Sequence, residues 1–149
     1  MTRRHALSCA IAVLIATGVL LANSPHYVVD PAITVDGTTL LLDAKAAGLG
    51  DVPDVNFSLT GTLDVFSRCY NRGGNKPQAD NKQETIAVDS SFTVAVTNGQ
   101  TTIDHQLVAT AVSSLDCPGN QIVKIESLSF DLVLAADGFP QLTATLSSD

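Results

Sequence analysis

Beyond the first 24 residues the chain has two histidines, His26 and His105, so general-base chemistry near neutral pH has two candidate groups. His105 falls between Ile103 and Leu107, at an inward position of an alternating run, and reads as a hydrogen-bonded core or edge histidine rather than a base. No nucleophile is marked to go with it. The chain carries no Gly-x-Ser-x-Gly elbow, no His-Glu-x-x-His pair, no phosphate-binding glycine loop and no dinucleotide fingerprint. Asp51 with Asp54, and Asp30 with Asp36, lack the alternate-residue oxygen spacing of a calcium loop and read as solvated carboxylates. Two cysteines and two widely separated histidines lack the ligand spacing of a zinc site. No metal, cofactor or catalytic residue is expected from these patterns. Asn56-Phe57-Ser58 matches a glycosylation sequon, which matters only in a eukaryotic secretory pathway.

One segment departs from the rest in composition. Arg68 to Lys82 is rich in Gly and Asn, reads as too polar for a strand, and holds Arg68, Arg72, Lys76 and Lys82 against Asp80, a net +3. From residue 25 onward the remaining chain sets Lys45 and Lys124 against fourteen acids, or −12. A rigidly supported polar loop is what recognition requires, and glycines let backbone amides approach a ligand. Asn71, Arg72, Gly73, Gly74, Asn75 and Lys76 are therefore the candidate binding residues, within a loop spanning 70–82, for an anionic wall polymer or an acidic partner surface. The competing reading is a solvated hairpin loop whose asparagines and glycines serve turn geometry alone.

Gly48-Leu49-Gly50, the run Cys69-Tyr70-Asn71-Arg72-Gly73-Gly74-Asn75-Lys76-Pro77, and Cys117-Pro118 together resemble a group of small exported bacterial proteins, frequent in actinobacteria. Those proteins carry Gly-Leu-Gly, an alternating strand and a Cys-x-Asn-x-Gly-Gly-Asn-x-Pro loop. The resemblance spans roughly Ala44 to Leu134. It implies a secreted β-rich domain. The group has no established activity, so the likeness transfers no catalytic residue.

The elements that would position this loop are strands. Val55, Phe57, Leu59, Gly61, Leu63 and Val65 share one parity, with Asn56, Ser58, Thr60, Thr62 and Asp64 on the other, as in a strand with one face buried. Ile86, Val88, Phe92, Val94 and Val96 repeat the pattern, and after Asn98-Gly99 it returns in Ile103, Leu107, Ala109 and Ala111. Asn-Gly between alternating runs predicts a hairpin. Inward parity changes between Ile125 and Leu128, which predicts a β-bulge or a strand switching sheets. Val28–Val35, Thr39–Leu42 and Leu142–Leu146 supply shorter extended pieces, and Asp43–Leu49 is the one plausible helical turn. About seven short strands without crossover helices predict an all-β, antiparallel, immunoglobulin-like β-sandwich. Its expected core is Val55, Phe57, Leu59, Leu63, Val65, Phe92, Val94, Ile103, Leu107, Phe130 and Leu132.

Arg3 and Arg4 precede an uncharged apolar run from Ala6 to Leu21, shorter than the roughly 20 residues of a bilayer span, which reads as an export signal. Residues 1–24 are assigned to this signal peptide, with cleavage between Gly18 and Ser24, and residues 25–149 to a single sandwich domain without a membrane span. Cys9 would leave with the signal. Cys69 and Cys117 then remain as one disulfide in an oxidising compartment, closing a loop of about 49 residues, for which chain entropy gives roughly 4 kcal/mol. The sequence has 15 acidic against 8 basic residues and a net charge of −7, which argues against nucleic acid and anionic lipid as partners. The reading is a non-catalytic module, secreted or in the cell envelope, that binds a cell-wall polymer or surface protein. A small secreted hydrolase or enzyme inhibitor is the alternative.

Overall fold

The computed structural model describes residues 24–148, so the expected signal segment lies outside the described residues. Runs of alternating apolar and polar residues fold into seven strands: β1 (His26–Asp36), β2 (Thr39–Ala47), β3 (Asp54–Tyr70), β4 (Pro77–Ala95), β5 (Gln100–Thr110), β6 (Ile122–Ala136) and β7 (Ala144–Ser147). A short 3-10 turn, Pro140–Leu142, precedes β7. Among the described residues no helix is long and apolar enough to cross a membrane. All neighbouring strands pair antiparallel, in one sheet of order β1-β2-β5 and another of order β4-β3-β6-β7. This is the immunoglobulin-like sandwich with one exchange: β4 lies beside β3 rather than beside β5, so the fourth strand has changed sheets.

The alternation decides what each sheet buries. Leu40, Leu42, Ala44 and Ala46 of β2, with Ile103 and Val108 of β5, meet Val55, Phe57, Leu59, Leu63 and Val65 of β3 and Leu132 and Leu134 of β6 in one cluster. The Phe57 and Phe92 rings stack at 5.7 Å between centroids. Gly61 sits where β3 and β6 press together: it has a φ of +148°, and a Cβ there would fall 2.1 Å from the Asp131 carbonyl oxygen. No side chain fits that gap. Tyr27 of β1 closes the sandwich at its other edge, donating its hydroxyl hydrogen to the Leu142 carbonyl at 2.7 Å, and burial pushes its phenol up to about 12.

Four expectations change. Asp43–Leu49 is not a helical turn, because β2 runs to Ala47 and hydrogen-bonds β1 on one side and β5 on the other; Ala44 and Ala46 are simply small inward residues. Asn98-Gly99 does make a tight two-residue turn, with Thr97 and Gln100 exchanging backbone hydrogen bonds at 2.8 and 3.1 Å, but the strands on either side enter opposite sheets. Leu107 is 52% exposed rather than core. The register of β2 against β5 slips opposite Asp43, His105 takes a φ of +47°, and inward parity passes from Ile103 to Val108. Finally, the polar stretch 68–82 is largely strand, since β3 reaches Tyr70 and β4 starts at Pro77. Phe92, Val94 and Phe130 pack against the core only partly buried. The parity change before Leu128 is a bulge, where β3 steps from Ser127 to Ile125 and leaves Glu126 unpaired.

Phe57, 1% exposed, is the largest fully buried side chain among the described residues. Phe57→Ala should cost about 3–5 kcal/mol in denaturant unfolding, whereas Leu107→Ala should stay within about 0.5 kcal/mol. Similar losses at both positions would contradict the facing described here.

Candidate functional site

Three strands of the four-stranded sheet are longer than the strands of the sheet they face. β3, β4 and β6 have 17, 19 and 15 residues, against 9 and 11 in β2 and β5. The ladders of the smaller sheet end at Thr39 and Thr110, and among the described residues no further strand of that sheet continues over the inner face of the larger one. The connection from Ala111 to Gln121 covers that surface as a strap. Its first residue is fastened by Ala111 N–H donating to the Thr38 carbonyl at 2.7 Å.

Polar residues at inward positions of β3 and β4 hold the strap down. The hydroxyls of Ser67, fully buried on β3, and Ser113 hydrogen-bond at 2.6 Å. Glu84 of β4 accepts from the Ser114 amide at 2.8 Å, from the Ser114 hydroxyl, and from the Ser113 hydroxyl at 3.2 Å. Lys82 Nζ lies 3.2 Å from Glu84 and also bonds Ser114. The Ser114 hydroxyl, then its amide, then Lys82 stabilise the carboxylate and bring the Glu84 pKa down to about 2. At the far end Cys117 joins Cys69 in a disulfide, with Cα atoms 5.6 Å apart. The expected pairing is thus present, and it pins the strap to the end of β3.

The β3–β4 loop, residues 71–76, stands on this base. Asn71 Oδ1 accepts from the amides of Asn75 and Lys76, each at 3.0 Å, and Gly74 N–H donates to the Asn71 carbonyl at 2.7 Å. Lys124 of β6 lies with Nζ 4.8 Å from the Tyr70 ring centroid and donates to the Gly74 carbonyl at 2.6 Å. Of the six expected binding residues, Asn71 is engaged within the loop and Gly74 is buried beneath Lys124. Arg72, Gly73, Asn75 and Lys76 are exposed.

Sequence reasoning missed Lys124. It sits opposite Arg68 in the β3–β6 register, which brings a distant cation beside the loop. Arg68, Arg72, Lys76, Lys82 and Lys124 therefore gather at one end, leaving Lys45 as the remaining Lys or Arg among residues 24–148. Arg68 packs over Phe66 at 5.5 Å and lies 3.7 Å from Glu126, which also accepts the Tyr70 hydroxyl hydrogen and so raises the Tyr70 pKa. Lys82 is paired with Glu84. Arg72 and Lys76 have no carboxylate within ion-pair distance among the described residues.

His105 meets carboxylates, but not in a cleft. Its Nδ1 is 3.2 Å from Asp43, and the side chain is 68% exposed. A groove of about 590 Å³ lies at the opposite end of the sandwich, between Ser24–His26, Ala47–Asp51 and Asn98–Gln100. It includes His26, whose Nδ1 contacts the Ser24 carbonyl at 2.8 Å. Neither this groove nor the smaller one near Phe92 contains His105.

Two outcomes follow for the strap. Reducing the Cys69–Cys117 bond, or replacing either cysteine with serine, should lower the melting temperature markedly, since the bond closes a loop with a sequence separation of 48; the chain-entropy scale is about 4 kcal/mol. Glu84 adds a pH signature. A carboxylate whose folded pKa is depressed stabilises the fold above its unfolded value, near 4.5, and loses that contribution as pH falls toward about 2. The difference in melting temperature between wild type and Glu84→Gln should therefore be largest above pH 5 and shrink toward pH 2. A difference independent of pH would contradict the arrangement.

Comparison with known protein families, curated proteins and solved structures returns no match for this chain.

Proposed function

We propose that the protein is a non-catalytic module of the exterior or cell envelope that holds an anionic polymer at the Arg72–Lys76 end. The observation that carries this reading is the exposure of Arg72 and Lys76 without acidic partners among the described residues, on a loop braced by Lys124 and by the disulfide beneath it. Elsewhere the chain is strongly acidic and repels polyanions, so attraction is confined to one end. Bracing matters because a loop already ordered loses little entropy on binding. The disulfide suits an oxidising compartment, which supports an exterior location.

The test is retention on an immobilised anionic wall polymer. Wild type should be retained at low ionic strength and released as added salt shortens the Debye length. Arg72→Ala with Lys76→Ala should abolish retention while changing stability by no more than about 0.5 kcal/mol. Lys45→Ala, on β2 away from the loop, should leave retention intact. Absence of salt-sensitive retention in wild type, or its survival in the double variant, would overturn the reading.

A further inference from the structure

The bulge of β5 against β2 gathers three donor groups, two neighbours on β5 and a third from β2. In a regular strand Asp104 and His105 would point to opposite faces. Here the slipped register and the left-handed backbone of His105 leave both exposed, beside Asp43 of β2. Asp43 reaches His105 twice: Oδ1 accepts the backbone N–H at 2.8 Å, and Oδ2 lies 3.2 Å from ring Nδ1. The other ring nitrogen, Nε2, is 3.9 Å from an Asp104 oxygen. One ligand atom from each of the three residues lies within 4.8 Å of the others.

We propose that Asp43, Asp104 and His105 form a surface site for a divalent transition-metal ion of the zinc class. A proton on Nδ1, held toward Asp43, leaves the Nε2 lone pair free to ligate. Carboxylates behind histidines set the tautomer of metal-binding imidazoles in this way. With metal–ligand bonds of about 2.1 Å, one ion spans up to about 4.2 Å between two ligand atoms, so Nε2 and the Asp104 carboxylate can share it. Two carboxylates offset the charge of the ion, and water fills the remaining positions. An imidazole nitrogen in the set favours zinc-class ions over magnesium or calcium, which prefer oxygen alone. Bound there, the ion clips the bulge and steadies the β2–β5 edge. The site lies on the other sheet from the Arg72–Lys76 loop and does not depend on the reading given for that loop.

Calorimetric titration of the tag-free, oxidised protein with Zn²⁺ tests the proposal. One saturable site is expected, with a melting temperature that rises with Zn²⁺ and a weaker response to Mg²⁺ or Ca²⁺. Asp104→Asn and His105→Asn should each weaken binding tenfold or more; asparagine tolerates the left-handed backbone, so the bulge survives the second change. Asp43→Asn, which removes the orienting charge, should weaken it by about 10- to 100-fold. A His26→Ala variant, which keeps His105 as the mature chain's other histidine, should bind as wild type does. Lack of saturable Zn²⁺ binding in wild type would overturn the proposal, as would wild-type affinity in both Asp104→Asn and His105→Asn. If His105→Asn unfolds, Asp104→Asn alone decides, since Asp104 is 82% exposed and outside the core.

Discussion

A mismatch in strand length governs this fold. At about 3.3 Å per residue, β3 runs roughly 55 Å while β2, which it faces, covers about 30 Å. A sandwich with one long sheet and one short one must cover the surplus or leave an inner face in water. Covering it with another strand would need a further apolar row, and the chain instead lays Ala111–Gln121 across the gap. A strap of irregular backbone has its own amides and carbonyls to satisfy. This explains why Ser67, Lys82 and Glu84 stand at positions where alternation would place apolar side chains: they are partners for the strap, not gaps in the core.

The same requirement shapes the charge at that end. Lys82 is taken up by Glu84 and Ser114, Arg68 by Glu126 and Phe66, and Lys124 by Gly74 and Tyr70. Each of those cations does structural work, joining the strap, the outer face or the loop to the sheet. Arg72 and Lys76 stand further out, past the last pair of hydrogen-bonded strands, and are left to solvent. The local excess of positive charge is thus partly a by-product of closing the long end. Its outermost members, Arg72 and Lys76, have no ion-pair partner among the described residues.

What was legible in the sequence followed from local periodicity, and what was not depended on remote neighbours. The alternation of Val55 to Val65 marked β3 and its facing, and the parity change before Leu128 marked the bulge at Glu126. Cys69 and Cys117 were readable as a pair from their number and from the strand patterns beside them. The bulge at His105 was hidden because Leu107 and Val108 are both apolar; either could face inward, and only pairing with β2 chooses. Asp43–Ala47 carries alanines that suit helix and strand alike, so strands on both sides decide. For the candidate site, the polar Gly-Asn loop and its two outer cations could be picked out. That Asn71 spends its side chain inside the loop, and that Lys124 arrives from β6, required the fold.

The two-residue corner at Asn98-Gly99 bears on how quickly the chain can reach this state. By sending β4 and β5 into different sheets, it removes the hairpin that would have joined the halves locally. Neighbours in sequence pair only as β1 with β2, β3 with β4, and β6 with β7. Each sheet is completed by a distant partner: β2 waits for β5, and β3 waits for β6, matching Tyr70 to Ile122 at one end and Phe57 to Ala136 at the other. Loop-closure entropy must be met before those ladders return any hydrogen bonds. Contact order is accordingly high, which places folding on the millisecond-to-second scale of all-β domains. During that interval the free edges of β2 and β3 are the surfaces most open to pairing with another chain.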